Sequence, residues 1–347
     1  MVGNLQDSFS ALDTNPSSQT QQAAVLGAAG SLVNGINSLS ASLVQARQKA
    51  QDSLSDGITA ANSALSSIGK LSDQIISARA QGQSTAGLED ARDGEMKSLA
   101  TLTGAKFVQQ SSGDVQVIAG NTVLPTRQTT GPFVPQTATF SAGTTAGAVP
   151  VLTMNGSPVI GLGGEMGANV KLRDDTIPKM QNQLDGFTQS IAASFQSVNI
   201  PLLTDGGGTV PASTTQLGFS ATVQVSADFQ AYPFKLRDGA TGPTLQAGDD
   251  TNVKNVLSTV FAATTSGAAS KATTLIAGFA QQSTEAATAA TSSTALRTGL
   301  DSRLAIRSGV SVDTELAQMV ALQTAYAANA KVVTAVQSMW QQLLQAI

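Results

Sequence analysis

The sequence predicts a mainly α fold with inserted β: an elongated helical bundle built from both chain ends, a small β meander and a small inserted outer domain. Three observations predict it. An apolar stripe advances in steps of three or four from Leu32 to Ile75, the period of one helix face sustained well past an ordinary globular helix. Over residues 106–160 the pattern changes to short alternating runs cut by turn signals. Helical stripes then return near the other end, over residues 272–307 and 312–347, so the two ends should meet in one bundle while the middle projects.

The first helix ends at Asn15-Pro16, a turn signal, and Ser17 or Ser18 can cap the next one. The long stripe then runs through Leu32, Ile36, Leu39, Leu43, Ala46, Ala50, Leu54, Ile58, Ala61, Leu65, Ile68, Leu71 and Ile75. Gly57 and Gly69 inside it are tolerated at about 1 kcal/mol each. The stretch GQSTAG ends this helix, and a shorter one follows through Leu88, Met96, Leu99 and Leu102, closed by Gly104. In AKFVQQSSGDVQVIAGNTVLPT the turn signals Ser112-Gly113-Asp114 and Gly120-Asn121 separate short strands.

GEMGANVKLRDDTIPKMQNQLDGFTQSIAASFQSVN returns to helix, with a stripe of Val170, Ile177, Met180, Leu184, Phe187, Ile191, Phe195 and Val198. Pro178 removes a backbone donor and should kink or restart it. Residues 201–216 read as loop, which makes Thr204 a position where a charge should cost little. FSATVQV, residues 219–225, alternates and is expected to be a strand, with residues 231–250 irregular. The boundaries are therefore 1–105, 161–200 and 251–310 for the core domain, 106–160 for the meander, 201–250 for the outer domain and 311–347 for a last helix. The stripe from Leu39 to Ile75 should pack on the helices near residues 272–307 and 170–198, because no stripe can be satisfied within its own helix.

The last helix has Ser311 as N-cap, with Asp313 and Glu315 favourable near its positive end. Its apolar positions are Leu316, Met319, Leu322, Tyr326, Ala330, Val333, Val336, Trp340, Leu343 and Ile347, again in steps of three or four. Its other faces carry Ala, Gln, Thr and Ser where a solvated bundle helix would show Glu and Lys. That pattern fits a helix packed on several sides by neighbouring subunits; the plainer reading is an ordinary bundle helix in a chain with few charges.

Composition narrows the chemistry. Charged residues are 12% of the 347, against roughly 25% in globular domains. There is no Cys and no His, which removes disulfides, thiolate metal sites and Ser-His-Asp chemistry. A net charge of −4 argues against nucleic-acid binding. No apolar run is long enough to span a membrane, and MVGNLQDSF lacks the pattern of a cleavable secretory signal. Cytoplasm is the plain reading, and export by a machine that reads no cleavable signal is compatible with it. GLGGEMG, residues 161–167, precedes a helix as a phosphate loop would, but no Lys-Ser/Thr follows and Met166 stands at the third-glycine position, so it reads as a joint between sheet and helix. The same holds for Gly206 to Gly208. EDARD, RDD and DSR (from Glu89, Arg173 and Asp301) read as ion pairs on helices, and Asp249-Asp250 as a helix cap. An enzyme, a metal site and a cofactor site are not expected.

From Ser308, SGVSVDTELAQMVALQTAYAANAKVVTAVQSMWQQLLQAI resembles the C-terminus of flagellar axial proteins, most closely the hook-associated protein 1 family of hook-filament junction subunits. The residues carrying the resemblance are Gly309 to Asp313 leading to Glu315-Leu316, then Gln323, Tyr326, Ala328-Asn329-Ala330-Lys331-Val332, Trp340, Leu343 and Leu344. LQDSFSALDTNPSSQTQQAAVLGAAGSLVNGIN, GLEDARDGEMKSLATLTGAKF and GGEMGANVKLRDDTIPKMQNQLDGFTQSIAASFQSVN are similar to core-domain segments of the same family. The resemblance implies a non-catalytic structural subunit, exported unfolded by the flagellar type III apparatus without signal cleavage to an extracellular place in the bacterial flagellum. It implies assembly as a ring between hook and filament, terminal helices forming a coiled-coil inner tube, and outward middle domains. Implied partners are other copies of itself, hook protein, hook-associated protein 3 and an export chaperone; Asn329 and Leu344 join the stripe residues as subunit contacts. The family's first helix and its NTPGY-like segment have no counterpart before Met1-Val2-Gly3, so the last helix is expected without that partner and its stripe mobile or self-associated. The inserted middle domain is also small. Alternatives are another axial protein (flagellin-like or hook-associated protein 3) and a coiled-coil signalling protein, which would need a membrane span or a long glutamate-rich hairpin.

Overall fold

A computed structural model describes residues 1–120, 122–128, 131–134, 137–145, 152–154, 157–159, 161–308, 319 and 323–324. It divides into two compact units, Met1–Gln282 and Ser283–Ile347. The fold is mainly α with small antiparallel sheets.

In the first unit, α1 (Val2–Thr14) turns at Asn15-Pro16 into α2 (Gln19–Ala80), a single helix of 62 residues. Ser18 caps α2 by accepting from Gln21 N–H, and Gln22 Nε2 reaches back to Pro16 O at 2.8 Å, tying the turn. α3 (Ala86–Thr103) ends at Gly104 in the left-handed region, the conformation a C-terminal glycine supplies. β1 (Lys106–Gln109), β2 (Val115–Ala119) and β3 (Thr122–Leu124) form an antiparallel meander with Phe107 opposite Val117 and Val117 opposite Leu124. Among the described residues of 106–160, β4 (Thr153–Met154) and β5 (Ser157–Pro158) form a separate two-stranded sheet, with Val134 N–H donating to Thr153 O beside it.

α4 (Gly164–Lys171) runs through one π-helical turn (Leu172–Thr176) into α5 (Ile177–Ser197), so the helix restarts at Pro178 as expected. β6 (Leu203–Thr204) pairs with β7 (Gln224–Val225). α6 (Phe219–Thr222), α7 (Ala227–Ala231), α8 (Lys235–Asp238) and α9 (Thr251–Thr259) are short, and α10 (Ala268–Ser308) is long.

Two apolar clusters lie along α2. The first gathers Leu5, Phe9 and Leu12 of α1, the α2 stripe from Val25 to Leu43, and Leu184, Ile191 and Phe195 of α5. Phe9, Phe195 and Phe261 meet there with ring centroids 5.8–6.0 Å apart, joining three distant parts of the chain. The second cluster gathers Leu54 to Ile68 of α2, Leu99 of α3, the inner face of β2 and Met166 of α4.

Several sequence-based expectations fail here. Residues 201–250 were expected as an outer domain, but Leu202, Leu203, Phe219, Val223, Phe229 and Leu236 are all buried in the first cluster. Thr204 is likewise buried, in β6, and is no surface position. The expected strand over residues 219–225 is a helical turn followed by β7; Phe219 and Val223 fall four apart on one face of that turn, a spacing that alternation also satisfies. In the long stripe Leu39 is 36% exposed, and Ser40, Arg47 and Ser72 are buried where Leu39, Ala46 and Leu71 were expected. The neighbours of α2 are chiefly α1, α3, α4 and α5; α10 instead packs Leu275 and Phe279 on the first cluster, with Lys271 Nζ on Ser194 Oγ of α5. Within the first unit, which ends at Gln282, this part of α10 completes the bundle. In the second unit every side chain described from Ser283 to Gly299 is exposed.

Candidate functional site

Of the twelve residues expected on the last helix, Met319 alone is described: it is helical and 53% exposed. Leu316, Leu322, Tyr326, Asn329, Ala330, Val333, Val336, Trp340, Leu343, Leu344 and Ile347 lie outside the described residues.

The charged motifs of the first unit resolve into structural roles. In EDARD, Arg92 points inward, fully buried, and donates from Nη1 to Gly113 O at 2.6 Å and to Ser72 Oγ at 3.4 Å. It thereby holds the β1–β2 turn against α2 and α3. Glu89 accepts from Arg79 and Thr85, and the Arg79 bond holds its carboxyl below the usual carboxylate range. Asp90 and Asp93 are exposed. The Asp249 carboxylate accepts from Thr251 N–H at the start of α9, and Asp250 pairs with Lys254 one turn on. The side chains of Asp301 and Arg303 lie outside the described residues. Among the described residues no three of His, Cys, Asp and Glu group as metal ligands would.

The Gly-rich segment is a joint. Gly163 N–H donates to Thr103 O at the end of α3, and a Cβ on Gly164 would stand 2.5 Å from Thr101 O. The backbone of 163–164 therefore abuts the carbonyl end of α3, a surface that repels anions.

Sequence reasoning missed the polar groups on the buried side of α2. Arg47 (4% exposed) donates from Nε to Arg173 O at 2.9 Å and from Nη1 to Thr144 O at 2.9 Å, with its guanidinium 4.6 Å from the Phe140 ring centre. Burial pushes the Arg47 guanidinium below its usual range, opposed by Asp174 and reinforced by Arg173. Arg173 (2% exposed) grips Asp174 with two nitrogens and donates to Gln51 Oε1. The cause is local. A π-turn routes each N–H to the carbonyl five residues back, as Ile177 does to Leu172. Pro178 has no N–H to offer Arg173 O, and that carbonyl accepts from Arg47 Nε of α2. The signal was present: Leu43, Arg47, Ala50 and Leu54 keep the helical step, so Arg47 and not Ala46 continues the stripe.

A second buried knot surrounds Asp185. Its carboxylate accepts from Gly218 N–H (2.8 Å), Ser220 N–H (3.0 Å), Ser220 Oγ (2.6 Å) and Gln181 Nε2 (3.0 Å). It caps α6 from α5, with Gly218 in the left-handed region. These side chains spend their hydrogen bonds on holding helices together, and none faces an open cleft as a catalytic pair would.

A family model described as the flagellar hook-associated protein FlgK helical domain matches residues 1–200, and one described as the flagellar basal body rod FlgEFG protein C-terminal matches residues 307–346. Among solved structures, the flagellar hook junction protein FlgK from Burkholderia pseudomallei is similar at 24% identity and a TM-score of 0.46, over 60% of this chain; this chain spans 39% of the length of that one. No curated protein matches the chain.

Proposed function

The chain belongs to the family of the flagellar hook-associated protein FlgK helical domain, and from that premise we propose that it is a non-catalytic structural subunit that joins hook to filament by ring assembly. The match over residues 1–200 carries this reading, and the rod-type match at 307–346 supports an axial place for the other end. In this reading the protein is exported through the flagellar type III apparatus to the outside of the cell. It meets further copies of itself, hook protein and hook-associated protein 3, and travels with an export chaperone.

The assembly helix is residues 311–347, with Leu316, Met319, Leu322, Tyr326, Asn329, Ala330, Val333, Val336, Trp340, Leu343, Leu344 and Ile347 as its subunit contacts. An apolar stripe of that length drives association where neighbouring subunits can cover it. Among the described residues no helix is long and apolar enough to cross a membrane.

Deleting residues 312–347 tests the proposal. The first unit should keep its melting temperature, while complemented cells should lose attachment of filament to hook in electron micrographs. Normal filaments on cells carrying the deletion would overturn the assembly role. Loss of the first unit's fold would show the helix to be an internal bundle element.

A further inference from the structure

Where α2 passes from the first apolar cluster to the second, the buried level between them is mostly polar. Leu43 belongs to one cluster and Leu54 to the other. The side chains buried between them on α2 are Arg47, Ala50 and Gln51. The rod of α4 and α5 runs through the same gap. Its buried residues there go from Met166 in the second cluster to Ile177 in the first, and Arg173 stands between. The backbone of that rod is weakest at the same level, where the π-turn and Pro178 interrupt the regular ladder.

We propose that this crossing is a bending joint between two separately packed cores, with the Arg47–Arg173 bond setting its rest angle. Interlocked apolar side chains resist sliding, because any displacement opens voids. Hydrogen-bonded side chains can instead lengthen or exchange partners without opening one. The π-turn offers a second backbone register at the same place. Residues 138–144 lie over the gap on hydrogen bonds from Gln48 and Arg47 to backbone carbonyls, contacts that tolerate rotation. The joint follows from the packing alone and does not depend on the assembly reading.

The chain has no cysteine, so spin labels can be introduced cleanly. Labels on exposed Ser31 and Ser98 report the distance between the cores, and labels on exposed Ser63 and Ser98 report the second core alone. The first pair should give the broader distance distribution. Arg47→Met should broaden it further and leave the second pair unchanged. Equal widths for both pairs, unmoved by the substitution, would overturn the joint, as would broadening of both pairs together. Hydrogen exchange on the unaltered chain decides the matter independently of that variant. Amides of residues 46–52 and 173–177 should exchange faster than those of 58–68 and 184–195, and equal protection would overturn the proposal.

Discussion

Arg47 and Arg173, both buried, are joined through backbone and not through charge: Nε of the first donates 2.9 Å to the carbonyl of the second. Pro178, five residues on, has no N–H to offer that carbonyl. The buried Arg47 guanidinium is thus held by backbone oxygens, Arg173 O and Thr144 O, so removing it takes a donor from both.

Leu65 is fully buried in the second cluster. Leu65→Asp should destabilise the first unit by at least about 3 kcal/mol, from the lost apolar burial and the unpaired charge. Ser213 is exposed, and Ser213→Asp should stay within about 0.5 kcal/mol. Urea unfolding of both variants checks the contrast; similar midpoints would remove Leu65 from the core.

Arg92→Met should cost about 1–3 kcal/mol, because Gly113 O loses its buried donor. Arg92→Lys should restore little, since the shorter ammonium lacks the guanidinium's forked geometry. Hydrogen exchange should localise the damage to the β1–β2 turn, and full rescue by lysine would count against a geometric role.

Asp185→Leu removes the acceptor for Gly218 N–H, Ser220 N–H and Ser220 Oγ together. The expected loss is about 2–4 kcal/mol, with early opening of residues 216–226 in exchange experiments. A wild-type exchange pattern there would mean that α6 needs no external cap.

The hydrogen bond from Arg127, aided by Val115 N–H, holds the Asp114 carboxyl below its usual range. A folded value below the unfolded one means that the unfolded chain binds the extra proton first. The stabilisation is then complete above about pH 4 and is lost as pH falls through the depressed folded value. Asp114→Asn should flatten the dependence of unfolding free energy on pH below 4. An unchanged slope would show that the Arg127 pair adds nothing to stability.

Period and punctuation made much of the fold readable. Ser18 and Gly104 mark helix ends that depend only on neighbouring residues, and the α2 stripe depends only on its own spacing. Ser40, Arg47 and Ser72 were passed over because a stripe is sought among apolar residues, whereas their burial is licensed by partners on other helices. The turn at Phe219 escaped for a related reason, since its cap, Asp185, is distant in sequence. Of the assembly residues Met319 alone falls among the described positions, so their grouping stands on spacing and resemblance.

The ring contacts of Phe9 with Phe195 and Phe261 set a timetable for a chain that emerges from its N-terminus first. The second cluster draws on residues 54–166 and can close as soon as that contiguous stretch is free. The first needs residues 5–43 together with partners as late as Ala268. Phe9 can meet its neighbours on α2 early but must wait for Phe195 and Phe261, and the closing of so long a loop is slow. Until Phe261 arrives, α1 is among the last elements to be fully sheltered, and it is where a holding protein would have a long opportunity to bind.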